Sequence, residues 1–123
     1  MRGGRCTILV VDDDDGVREL ATEVLVDAGY EVLPAADGEE ALRVLEEHPE
    51  IDLLFTDVVM PRVNGFTLAR KAKARFPGLK IVYASGYVSM VASSDLRDYH
   101  GPLLNKPYRP SQLLAEIRRA LGE

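Results

Sequence analysis

One cysteine, Cys6, stands among 123 residues, so no internal disulfide can form. That excludes a disulfide-stapled secreted scaffold and fits a reducing, cytoplasmic setting. No apolar run is longer than five residues, far short of the roughly 20 that cross a bilayer as a helix. Met1-Arg2-Gly3-Gly4-Arg5 carries charge without an apolar stretch behind it, which predicts a protein that is not secreted. Basic residues are in deficit: 15 Lys and Arg face 20 Asp and Glu, a net charge of −5. That balance argues against nucleic acid as the main partner. What is present is ordinary for a folded chain, at 46% hydrophobic and 28% charged, and excludes disorder. The length suits one domain, which can bury about two thirds of its unfolded surface without a staple. Residues 6–123 are expected to form that domain, behind a short tail over 1–5.

Strand-like and helix-like stretches alternate. Thr7–Val11 is a short apolar, β-branched run, read as a strand buried on both faces. Val17, Leu20, Ala21, Val24, Leu25 and Ala28 follow at i, i+3, i+4, i+7, i+8 and i+11, one face of a helix that Gly29 ends. Glu31–Leu33 reads as an edge strand closed by Pro34. Asp37-Gly38 opens a helix with Ala41, Leu42 and Leu45 inward, broken at Pro49. Ile51–Thr56 is a third strand, Met60-Pro61 and Asn64-Gly65 mark a loop, and Leu68, Ala69, Ala72 and Phe76 face one side of a third helix. Lys80–Ala84 is a fourth strand and Leu103-Leu104 a minimal fifth. Leu113, Leu114, Ile117 and Leu121 line the last helix. Between them, Val88–Gly101 has poor helix material and reads as a short or irregular helix. The alternation implies βαβ units. It predicts an α/β, doubly wound, five-stranded parallel sheet in the flavodoxin-like order 2-1-3-4-5, with helices on both faces and a site at the C-terminal strand ends.

Those ends carry Asp12-Asp13-Asp14-Asp15, Asp57, Ser85 and Asn105-Lys106-Pro107. One of Asp14 and Asp15 serves as a helix cap, but four aspartates are more than a cap needs. Carboxylates converging there repel unless a cation or proton neutralises them. A few oxygen ligands with positions left for water suit Mg²⁺. A lysine and a hydroxyl beside a metal-bound carboxylate can hold the oxygens of a phosphoryl group while the carboxylate attacks phosphorus.

Ile8-Leu9-Val10-Val11-Asp12-Asp13, Asp52 to Pro61 with Asn64-Gly65, Tyr83-Ala84-Ser85-Gly86 and Lys106-Pro107 together resemble the receiver domain of two-component response regulators, from about Cys6 to Leu121. The stretch Ala35-Ala36-Asp37-Gly38-Glu39-Glu40-Ala41-Leu42 is similar to these domains too. The resemblance implies Asp57 as phosphoacceptor from a phosphohistidine on a sensor histidine kinase or phosphotransfer protein. It implies Asp13 as a direct Mg²⁺ ligand, Asp12 acting mostly through water, and the Val59 backbone carbonyl completing the protein's share with Asp57; Mn²⁺ can substitute. It implies Ser85, in place of the commoner threonine, bonding a phosphoryl oxygen, and Lys106 pairing with the phosphoryl group. It further implies a cis Lys106–Pro107 bond, a downstream protein target, and no enzymatic activity beyond the domain's own phosphoryl transfer and dephosphorylation. Positioning and charge neutralisation are what phosphoryl transfer mainly needs.

Leu103 stands where many receivers carry an aromatic residue. Signalling is therefore expected to run through Ser85, with Tyr83 and Tyr87 beside it, rather than through an aromatic rotation at 103. Arg109-Pro110 opens the last helix without the usual serine or threonine cap. No output domain follows Leu121 in this chain, which leaves a single-domain regulator or a receiver from a larger protein. Two other readings compete. Asp13-Asp14-Asp15-Gly16-Val17 fits the nucleophile motif of haloacid dehalogenase-type phosphatases, with Asp13 as nucleophile, but only Glu116 and Glu123 follow Lys106 as acidic ligands. A pseudo-receiver acting as an interaction module alone would not need the complete acidic pocket.

Overall fold

The structure is a computed structural model and describes residues 6–86 and 101–123. Five strands alternate with helices: β1 (Thr7–Val11), α1 (Asp15–Asp27), β2 (Glu31–Ala35), α2 (Gly38–Glu47), β3 (Leu53–Asp57), α3 (Gly65–Arg75), β4 (Lys80–Ser85), β5 (Leu103–Asn105) and α4 (Pro110–Leu121). All pairings are parallel, and the strand order is β2-β1-β3-β4-β5, as expected. The irregular helix expected over Val88–Gly101 and the flanking Tyr87 lie outside the described residues, Gly101 apart.

The sheet divides the core in two because successive side chains in a strand point to opposite faces. Leu9, Val11, Leu54 and Ile81 pack beneath α2 and α3 with Leu45, Leu68 and Ala69. Ile8, Val10, Leu53, Phe55 and Val82 pack beneath α1 and α4 with Leu25, Leu113 and Ile117. Central strands covered on both faces favour near-continuous apolar runs; β1 and β3 are buried throughout, with polar residues only at Thr7, Thr56 and Asp57.

Helix starts follow local chemistry. Asp14 caps α1 by accepting from Val17 N–H at 3.1 Å, Asp37 caps α2 from Glu40 N–H at 2.8 Å, and Asn64 caps α3 from Thr67 N–H at 2.9 Å. At α4 the missing cap is replaced: Gln112 Oε1 reaches back to accept from Arg109 N–H at 2.7 Å, and Pro110 takes the first helical position, where an N–H is not needed.

Three details correct the sequence reading. Pro34 does not close β2 but sits inside it, paired in register with Val10. An edge strand tolerates this because the absent N–H costs no ladder bond on the open side. β3 starts at Leu53 and runs to Asp57, while the Asp52 carboxylate turns back to accept from Thr7 N–H at 2.9 Å. Leu20 is not inward: it is 56% exposed. The buried stripe of α1 is narrower than the periodic face, centred on Ala21 and Leu25.

Candidate functional site

The chain leaves β1 towards β2 on one side and enters β3 on the other, so β1 and β3 are neighbours whose connections diverge. A crevice opens beyond the carboxyl ends of strands at such a point. Here it is a cleft of about 490 Å³ lined by Asp12, Asp13, Asp14, Val17, Asp57, Val59, Gly86 and Lys106.

Asp57 is the last residue of β3, paired in register with Ala84, and is 7% exposed. Its backbone is fixed from several sides. Thr56 Oγ1 donates to the Asp57 carbonyl at 2.9 Å, Val58 N–H donates to the Ala84 carbonyl at 3.0 Å, and Gly65 N–H donates to the Val58 carbonyl at 2.8 Å. The start of α3 lies so close that a Cβ at Gly65 would stand 2.3 Å from the Asp57 carbonyl oxygen. Glycine is needed there for the close approach of two backbones.

Asp12, also buried, accepts from Lys106 Nζ at 2.9 Å. The same ammonium lies 3.3 Å from Asp57 Oδ1, so one cation bridges two buried carboxylates. Asp12, Asp13 and Asp57 each offer an oxygen within 4.8 Å of the others. Two unit charges at that separation repel by on the order of 3 kcal/mol at an effective dielectric of about 20, and Lys106 offsets only part of it. Burial, with the Asp12 and Asp13 charges, outweighs Lys106 and pushes Asp57 up from 3.8 to about 6. Burial works to lower the Lys106 pKa, yet the hydrogen bond to Asp12 and the Asp57 charge prevail and raise it. Three hard oxygen donors with a net negative charge and an open cleft in front fit a small divalent cation.

Ser85 ends β4 opposite Asn105 and is fully buried; its carbonyl accepts from Lys106 N–H at 3.0 Å, and Gly86 rather than Ser85 lines the cleft. The half-exposed Val59 forms part of the rim. The Lys106–Pro107 bond is cis. Glu116 and Glu123 are not part of the acidic cluster: Glu116 pairs with Arg119 at 2.7 Å, and Glu123 accepts from Tyr30 O–H at 2.8 Å, at the opposite end of the sheet.

Two residues near the cleft went unremarked in the sequence. Tyr108, edge-on to Phe55 at 5.8 Å, has its hydroxyl pushed up to about 12 by burial and by the charges of Asp12 and Asp57. Arg18 Nη1 donates to the Asp12 carbonyl at 2.7 Å. Its signal was available: a cation near the start of a helix opposes the macrodipole, so its presence there points to a local acidic or carbonyl partner.

The sequence matches the response regulator receiver domain family over residues 8–118. It is 37% identical over 120 residues to sensor kinase CckA of Brucella abortus, covering 96% of this chain but 13% of that protein. It is 36% identical over 117 residues to response regulator receiver protein CpdR of the same organism, covering 93% of this chain and 95% of that one. Among solved structures, chemotaxis protein CheY4 of Vibrio cholerae superposes with a TM-score of 0.88 at 30% identity, covering 96% of this chain and 100% of that one. A five-stranded sheet in the order β2-β1-β3-β4-β5 that gathers Asp12, Asp13, Asp57 and Lys106 at its switch point, with a family match over residues 8–118, makes this chain a member of the response regulator receiver domain family.

Proposed function

We propose that residues 6–123 work as a phosphoacceptor receiver in a cytoplasmic two-component phosphorelay. An Asp57 carboxylate oxygen attacks the phosphorus of a phosphohistidine carried by a sensor histidine kinase or phosphotransfer protein. The P–O bond forms as the P–N bond breaks, the electron pair returns to the imidazole nitrogen, and the product is an aspartyl phosphate. Asp12, Asp13, Asp57 and the Val59 carbonyl would hold Mg²⁺, or Mn²⁺ in its place; the ion supplies charge neutralisation at the phosphoryl oxygens. Lys106 exchanges its carboxylate partners for a phosphoryl oxygen, and Ser85, which does not itself line the cleft, moves so that its hydroxyl takes another. The change at Ser85 and Gly86 passes the signal to a downstream protein target. The chain then acts as a switch, with no reaction beyond its own phosphorylation and dephosphorylation.

The observation that carries this reading is the buried Asp57 carboxylate at the end of β3, in a cleft where two further carboxylates, one of them also buried, and one lysine converge. A phosphatase using Asp13 lacks that support, since the acidic residues after Lys106 are engaged elsewhere. Intact mass after incubation with acetyl phosphate and Mg²⁺ tests it. One phosphoryl group should be added to the wild type and none to Asp57→Asn. Phosphate release that persists in Asp57→Asn and disappears in Asp13→Asn would overturn the reading in favour of the phosphatase.

A further inference from the structure

Four consecutive aspartates, Asp12 to Asp15, face different demands. Asp12 is held by Lys106 and by Asp14 N–H, which donates to Asp12 Oδ1 at 2.9 Å. Asp14 is engaged as the cap, and Asp15 pairs with Arg18 Nη2. Asp13 has no bond of its own among the described residues, yet its carboxylate is one of the three that converge. Its direction must therefore come from the backbone. The peptide group joining Asp12 to Asp13 is the one whose oxygen accepts from Arg18 Nη1 at 2.7 Å. The guanidinium is largely covered, its side chain 17% exposed, and it does not line the cleft. One planar fork thus ties the Asp12 carbonyl to the carboxylate of Asp15, the first residue of α1, which a single ammonium cannot reproduce.

We propose that Arg18 is a positioning residue for divalent-ion binding: by clamping the Asp12 carbonyl and the Asp15 carboxylate, it sets the peptide plane that aims Asp13 into the acidic cluster. The proposal rests on the receiver reading of that cluster. It makes a prediction opposite in sign to simple electrostatics. Removing a cation beside a cation site should tighten binding if charge were all that mattered. If Arg18 aims Asp13, removing it loosens binding. Partners that orient metal ligands typically change affinity about 10–100-fold. Because Arg18 acts through one peptide group, about tenfold is expected for Arg18→Gln.

The test is a titration of the full chain with Mn²⁺, free Mn²⁺ being read by electron paramagnetic resonance, alongside the melting temperature in EDTA. Arg18→Gln should bind about tenfold more weakly than wild type, and Arg18→Lys, which keeps the charge but donates from a single nitrogen, should fall between them. Equal or tighter binding by Arg18→Gln overturns the proposal. So does a lowered melting temperature in EDTA with unchanged affinity, which would mark Arg18 as a helix-stabilising residue only. If the wild type itself binds no Mn²⁺, the receiver reading falls with it, a result distinct from wild-type binding that Arg18→Gln leaves intact.

Discussion

Replacing Asp57 by asparagine should make the metal-free protein more stable, although it removes the group on which the proposed chemistry depends. Burial raises the Asp57 pKa from 3.8 to about 6, so the folded protein holds this proton more tightly than the unfolded chain does. Between those two values the folded state binds more protons, and stability falls as pH rises. This is the reverse of the usual salt-bridged aspartate. Below 3.8 the group is neutral in both states and costs nothing; above 6 the whole penalty is present. At about 1.4 kcal/mol for each pKa unit, the ionised carboxylate costs on the order of 3 kcal/mol. Asparagine keeps the shape and carries no charge. For a chain of this size the gain corresponds to a rise of roughly 10 °C in melting temperature. Thermal and urea unfolding of wild type and Asp57→Asn, in chelator, above pH 6 and again below pH 3.8, measure it. The variant should be the more stable at the higher pH, and the gap should close on acidification. A gap under about 0.5 kcal/mol at the higher pH, the range of an ordinary surface change, would refute the claim that the buried carboxylate is strained. So would a gap that widens in acid.

Other outcomes follow from the same geometry. Millimolar Mg²⁺ should raise the wild-type melting temperature by relieving carboxylate repulsion, and Asp13→Asn should diminish that rise more than Asp14→Asn, because Asp14 is engaged in capping. Gly65→Ala should lower stability by about 1–3 kcal/mol in urea unfolding and slow phosphorylation from acetyl phosphate, because its Cβ would meet the Asp57 carbonyl oxygen at 2.3 Å; an unchanged midpoint would contradict this. Lys106→Met should lower stability in chelator by about 2 kcal/mol, since the buried Asp12 and Asp57 lose the cation between them. Added Mg²⁺ should recover more of that loss than it adds to the wild type.

The strand order and the convergence of acidic residues were legible because they rest on strong signals. Thr7–Val11 reads as a doubly buried strand and forms one with the same bounds; periodic helices between such strands leave few topologies. Pro34 was misread because a proline's effect depends on whether its strand is an edge, and edge position is a property of the whole sheet. Leu20 was misread because the width of a buried stripe depends on how closely a helix meets its neighbours, which periodicity alone does not carry. Arg18 escaped notice because its one legible signal, a cation in the first turn of α1 three residues after Asp15, reads as an ordinary i,i+3 pair, and its second partner, the Asp12 carbonyl, belongs to no side-chain pattern. Gly65 stood out as a turn residue, but its contact with Asp57 joins a helix start to a strand end and exists only once α3 is packed.

In the proposed reaction one buried carboxylate, Asp57, accepts the phosphoryl group. Borohydride reduces an aspartyl phosphate to homoserine, so peptide mapping after treatment with acetyl phosphate, Mg²⁺ and borohydride locates the acceptor directly. Homoserine is expected at position 57, dependent on Mg²⁺, with Asp12 and Asp13 intact. Homoserine at 12 or 13, or none at 57 under conditions that phosphorylate a known receiver, would contradict it.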